Sequence, residues 1–177
     1  MTKNQRLVFI SLLAAQAVII SLLERAIPSP FLIAPGAKLG LANIITCIAL
    51  YTLSTRDAGV LVIVRLILVT LLGGTISTFM YSASGAFLSF LGMWGIKQLG
   101  TSRISIIGVS ATGAFLHNVG QLTVASWIAQ TWTVLLYLPF LSFFGILTGI
   151  SIGIAANYLL VHVEKLNYYR DLMELNL

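Results

Sequence analysis

A lysine and an asparagine sit close together in Pro35-Gly36-Ala37-Lys38-Leu39-Gly40-Leu41-Ala42-Asn43, where a polar turn feeds into an apolar run. An amine and a carboxamide at the mouth of a membrane helix are costly unless they meet a polar cavity or a ligand, so this pair marks a candidate binding site. Arg65 stands inside a later apolar run. Farther on, Ser110, Gly113, Ala114, His117 and Gln121 recur at intervals of three or four, which places them on one helical face, with Asn118 beside it. The candidate substrate-binding residues are therefore Lys38, Asn43, Arg65, His117, Asn118 and Gln121. Amine, guanidinium, imidazole and carboxamide groups suit recognition of an acceptor-rich or anionic small molecule.

The same sequence offers little for catalysis. Its two aspartates, Asp57 and Asp171, are far apart and lack the clustered acids that hold magnesium against diphosphate oxygens. No Gly-x-x-x-x-Gly-Lys-Ser/Thr phosphate loop occurs, and no nucleophile has an adjacent base. The single cysteine, Cys47, lies in an apolar run and reads as a small buried hydrophobe. The expectation is a binding protein without enzymatic activity, metal or cofactor.

The elements that must position these residues are membrane helices. Of 177 residues, 58% are hydrophobic and only 8% charged, and mean hydropathy is +0.99. A span needs roughly 20 apolar residues, so the length accommodates six spans in one integral membrane domain covering 1–177, with residues 162–177 as a short cytoplasmic or interfacial tail. The apolar runs are Leu7 to Leu23, Leu39 to Leu53, Ala58 to Leu72, Ser77 to Ile96, Ile104 to Ala129 and Leu135 to Val161. The first is followed by Glu24, Arg25 and a Pro28-Ser29-Pro30 turn rather than a cleavage site, so it reads as a retained span. An alternative has five spans and a re-entrant segment over the Ser, Thr and Gly-rich stretch from Gly73 to Gly85.

With a cytoplasmic N-terminus, Lys3, Arg6, Arg56, Lys97, Arg103, Lys165 and Arg170 gather inside, and Arg25 and Lys38 remain outside. That asymmetry predicts an all-α, multi-pass protein of the cell (cytoplasmic) membrane, with six transmembrane helices and both termini cytoplasmic. The net charge of +5 is too dispersed to mark a nucleic-acid surface. Lys38, Asn43, His117, Asn118 and Gln121 then fall in the outer half of the bilayer. Glu24, Asp57, Glu164, Asp171 and Glu174 all fall at helix ends, in loops or in the tail. The interior is thus expected to hold positive charge without a matching carboxylate, a balance that an anionic ligand would supply.

Each group also has a plainer role. Arg65 can bond backbone carbonyls or snorkel, His117 can bridge helices, and Lys38 can anchor in the headgroup layer. Trp127 and Trp132 suit an interfacial aromatic belt or a stacking surface. Gly145, Gly149 and Gly153 form a stripe for close helix approach, either within the chain or to a partner. Ser11 with Ala15, and Ala17 with Ser21, make a second small-residue surface that Ala14 adjoins, so candidate partner docking rests on Ser11, Ala14, Ala15, Gly145, Gly149 and Gly153.

The Pro35-to-Asn43 run, the Gly73-Gly74 pair after the Arg65 span and a six-span chain of this size resemble the Gx transporter family, labelled heptaprenyl diphosphate synthase component I. That family is similar to the S components of energy-coupling-factor (ECF) vitamin transporters. The resemblance implies substrate capture from outside, a lid between spans one and two, and association with a transmembrane T component and two ATPase subunits in the lipid bilayer. Docking in that group uses small alanines on the first span; here Ser11/Ala15 and Ala17/Ser21 stand instead. The implied substrate is small, anionic and partly apolar, an isoprenoid or quinone precursor or a vitamin. The alternative is a non-catalytic membrane accessory subunit of a prenyl diphosphate synthase.

Overall fold

The structure, a computed structural model, describes residues 3–26, 40–100 and 102–164. Lys38, the rest of the segment from Pro35 to Leu39, and the tail beyond residue 164 lie outside the described residues. Six helices follow in order: α1 (Lys3–Ala26), α2 (Asn43–Thr52), α3 (Thr55–Leu71), α4 (Ile76–Lys97), α5 (Ile106–Ile128) and α6 (Leu138–Glu164), with a 3-10 segment at Trp132–Tyr137 before α6. No strand occurs among the described residues.

Local chemistry explains the helix starts. Ser54 accepts from the Asp57 amide at 3.2 Å to begin α3, and Thr75 and Thr78 form a reciprocal capping box at α4. Ser105 accepts from the Gly108 amide at α5. Because the capping box leads into an unbroken helix from Ile76, the Gly73-to-Gly85 stretch is mostly helical and the re-entrant alternative is set aside.

Three stretches, Asn4–Arg25, Ile76–Lys97 and Trp132–His162, are long and apolar enough to cross a membrane. With its 23 residues α5 matches them in length, about 35 Å, although polar groups interrupt it. Leu7, Leu12, Ile19, Leu23, Ile63, Phe143, Leu147 and Ile154 are all exposed. So wide an apolar exterior is the surface of a protein made for lipid.

The second apolar run, expected to span from Leu39 to Leu53, forms a helix of only ten residues, about 15 Å long. A turn at Gly40 delays it: Gly40 has φ +82°, and its carbonyl accepts from the Asn43 amide at 2.9 Å. This short helix is the centre of the molecule. α2 packs against each of the other five helices, and Ile45, Cys47, Ala49 and Leu50 join Leu13, Ala17, Leu61, Met93, Val109 and Ala156 in one core. Surrounded by protein, α2 has no need to match the bilayer thickness.

α4, α5 and α6 approach closely through glycine. A methyl added at Gly120 would lie 2.6 Å from the Ser84 carbonyl oxygen, and one at Gly149 would lie 2.8 Å from Ala111 Cα. Gly145 and Gly153 likewise meet Asn118 and Ile107 of α5. The stripe expected to serve packing or docking is therefore spent within the chain, and its three glycines are removed from the docking surface.

One end of the bundle is tied by charge. Arg6 of α1 pairs with Asp57 of α3, to which Ser54 Oγ also donates at 2.8 Å. Lys97 of α4 donates to the Leu50 carbonyl of α2 and lies 4.9 Å above the Tyr51 ring. The Arg6 guanidinium, assisted by Ser54, holds the Asp57 carboxyl below the usual carboxylate range despite an opposing effect of burial. A depressed folded value stabilises above the unfolded value of about 3.9 and is lost as pH falls through the folded value.

Two outcomes test this packing. Gly120→Ala and Gly149→Ala should each cost about 1–3 kcal/mol through overpacking, whereas Gly95→Ala, with nothing within 4 Å, should leave the thermal midpoint unchanged or slightly raised. Thermal scans of wild type should lose stability as pH is lowered through the Asp57 titration, and Asp57→Asn should flatten that acid loss while lowering the neutral-pH midpoint by a few degrees.

Candidate functional site

At the opposite end, the C-terminus of α1, the N-terminus of α2, the last turns of α3 and the first turns of α4 surround a pocket. Its lining includes Ser21, Glu24, Arg25, Gly40, Asn43, Arg65, Thr70, Thr78, Ser82 and His117, with Ala42, Leu66 and Val69 as its apolar wall. The space measures about 440 Å³, counting the part open to solvent.

Three of the residues singled out in the sequence meet here: Asn43, Arg65 and His117. Each is buried, at 4% exposure. The His117 ring is held from two sides by glycines. A methyl at Gly85 of α4 would lie 2.9 Å from His117 Cε1 and Nδ1, and one at Gly40 would lie 3.4 Å from Cδ2 and 2.9 Å from Asn43 Nδ2. Gly40 thus serves twice, supplying a left-handed backbone and leaving room for the imidazole and carboxamide.

The charge expectation is corrected by Glu24. This residue sits in the last turn of α1, yet it is buried at 7% exposure. One carboxylate oxygen accepts from the Gly40 amide at 2.6 Å, and Glu24 lines the same pocket as Arg65. The pocket that holds the buried guanidinium therefore also holds a carboxylate. Glu24 takes the buried face of the last turn of α1, between exposed Leu23 and Arg25, which apolar run lengths cannot reveal. Arg25, beside it in sequence, is exposed and donates to the Val69 carbonyl at 3.2 Å.

Two donors in the pocket stay unused. Arg65 Nη1 and Asn43 Nδ2 are buried and meet no hydrogen-bond acceptor among the described residues. Leaving such a group unmade costs about 1–3 kcal/mol, more when it is charged. Other polar groups in the lining are committed: Ser21 Oγ donates to the Ala17 carbonyl at 2.8 Å, and Thr70 Oγ1 to the Leu66 carbonyl at 2.7 Å.

Asn118 and Gln121 are placed elsewhere. Asn118 Nδ2 donates to the Leu141 carbonyl of α6 at 2.7 Å, and Gln121 Nε2 donates to Asn118 Oδ1 at 2.7 Å. Neither lines the pocket. Adjacent helical residues point about 100° apart, so His117 and Asn118 face different neighbours. Trp127 and Trp132 are exposed at 63% and 76%, away from the pocket.

On α1, Ser11 and Ala15 are exposed, whereas Ala14 at 3%, Ala17 and Ser21 are buried within the chain. Ala14 therefore leaves the docking set, and Ser11 and Ala15 remain on the outer face. Sequence reasoning did not single out Glu24, Arg25, Ser21, Thr70, Thr78 or Ser82 for the site. The Glu24-Arg25 pair directly after an apolar run was the signal available for two of them.

No curated protein and no solved structure shows significant similarity to this chain. The family described as heptaprenyl diphosphate synthase component I matches residues 13–159. That range takes in α2, α3, α4 and α5 whole, most of α1 and α6, and every residue of the pocket, so the chain belongs to the heptaprenyl diphosphate synthase component I family.

Proposed function

We propose that this protein is the substrate-binding, S-component-like part of an ECF type uptake transporter, which captures a small, anionic and partly apolar molecule from the outer face. The observation that carries the reading is the pair of enclosed, unused donors, Arg65 Nη1 and Asn43 Nδ2, in a pocket open at one end of the bundle. A ligand oxygen would supply the acceptor that these donors lack among the described residues. The apolar wall of Ala42, Leu66 and Val69 gives the remainder of such a molecule somewhere to rest.

Energy for import would come from a T component and two ATPase subunits, since the sequence has no phosphate loop of its own. The exposed Ser11 and Ala15 of α1 supply a small-residue surface for docking within the membrane. Lys38, two residues before Gly40 in the sequence, would add positive charge to the site.

The family description favours a second reading, a non-catalytic membrane accessory subunit of a prenyl diphosphate synthase. Co-purification separates the two. Recovery of a T component with ATPases supports uptake, and recovery of a soluble prenyl synthase supports the accessory role.

Mass spectrometry of small molecules retained by the purified protein tests capture directly. A retained molecule should be found, and Asn43→Ala should weaken its binding about tenfold by removing one donor. In contrast, Asn118→Ala should lower the thermal midpoint, because it strips the Leu141 carbonyl and Gln121 of their partner, while leaving affinity unchanged. Retention equal in wild type and Asn43→Ala would sink the proposed site.

A further inference from the structure

We infer that the ligand of this pocket is a singly charged carboxylate bearing a hydrogen-bond donor, and not a diphosphate. The inference rests on the capture reading above and narrows it through the charge and proton inventory of the lining.

Charge comes first. Two guanidiniums, Arg25 and Arg65, line the pocket against one carboxylate, Glu24. Counting its arginines and its carboxylate, the described lining has a single positive charge in excess. Across residues 27–39, Lys38 is the sole charged side chain, so that stretch adds at most one more. A phosphate monoester carries roughly 1.5–2 negative charges near pH 7, and a diphosphate carries more. Placed here, a diphosphate would bring unbalanced negative charge beside the buried Glu24 carboxylate. Metal ions commonly relieve such a load through clustered ligands, yet no group of three His, Cys, Asp or Glu residues occurs among the described residues.

Geometry agrees with charge. Arg65 Nη1 and Asn43 Nδ2 are two NH2 nitrogens on neighbouring helices with no acceptor among the described residues, one nitrogen for each oxygen of a carboxylate. Arg25 is already tied to the Val69 carbonyl, so a second guanidinium is not wholly available to a larger anion. On the acceptor side, Ser21 and Thr70 have given their protons to the carbonyls of Ala17 and Leu66. Their hydroxyl oxygens keep lone pairs, and both residues line the pocket. A ligand hydroxyl or amide can donate to them while its carboxylate faces Arg65 and Asn43.

Glu24 then acts as a specificity residue. It cancels one guanidinium and repels additional negative charge, and discrimination through a repulsive element is a general route to selectivity.

The test is a charge-graded probe series with one skeleton: β-hydroxyisovalerate, then the phosphate and diphosphate esters of the matching hydroxy alcohol. Affinities are measured on full-length protein in lipid nanodiscs. The carboxylate should bind at least about tenfold tighter than the diphosphate ester. Glu24→Gln keeps a carbonyl for the Gly40 amide and removes the charge, and it should narrow or reverse that gap by about tenfold. Should this variant fail to fold, the wild-type ranking alone decides. Equal or tighter binding of the diphosphate ester, an unchanged ranking in folded Glu24→Gln, or no binding of the carboxylate overturns the inference. A multiply charged molecule retained by the purified protein would remove it and leave the capture reading standing; no retained molecule and no bound probe would remove both.

Discussion

One buried carboxylate connects the parts of this molecule that matter for binding. Glu24 belongs to α1, accepts from the Gly40 amide ahead of α2, and lines the same pocket as Arg65 of α3. A guanidinium enclosed in a low-dielectric interior is destabilising by several kcal/mol when unpaired. With Glu24 beside it, Arg65 can remain in the bundle and still present an unused N–H. The same bond sets the Gly40 turn, and that turn fixes where α2 begins. Position of the charge and position of the central helix are therefore one constraint.

A second constraint comes from glycine. Close packing of α4, α5 and α6 through Gly85, Gly113, Gly120, Gly145, Gly149 and Gly153 brings backbones together where any Cβ would collide. In lipid, where apolar side chains gain little by leaving their surroundings, such contact is a main source of helix association. It also divides the polar face of α5. His117 is pressed against Gly85 and Gly40 toward the pocket, while Asn118 turns to the Leu141 carbonyl and binds α5 to α6. One helix thus supplies a site residue and a structural clamp from adjacent positions.

The sequence made the helix count and the gathering of Asn43, Arg65 and His117 readable, because apolar period and intramembrane polarity are local signals. It was less informative where the outcome depended on neighbours. Gln121 shares the period of His117 and Asn118 adjoins it, but the Leu141 carbonyl of α6 claims Asn118, and Asn118 in turn claims Gln121. The run from Leu39 to Leu53 has the length of a span, yet protein on all sides makes a helix of ten residues sufficient. Glu24 reads as a helix-end acid, and only its burial on the face of α1 that meets Gly40 makes it a pocket residue. Lys38, prominent in the sequence, lies outside the described residues.

The two ends of the bundle are chemically unequal, and the difference bears on how a captured molecule would leave. At the Arg6 end, Arg6, Ser54 and Asp57 satisfy one another, and Lys97 is committed to the Leu50 carbonyl. These ties join α1 to α3 and α4 to α2, below a core that includes Leu50, Leu61, Met93 and Val109, each at 1% exposure or less. Passage through that core would require breaking both ties and parting close-packed helices, a cost comparable to much of a domain's stability. Under the uptake reading, delivery is therefore easier by moving the whole bundle than by opening a channel through it. Reorientation against a partner would leave the core intact. The exposed small residues of α1 lie on the outside of the unit that would move.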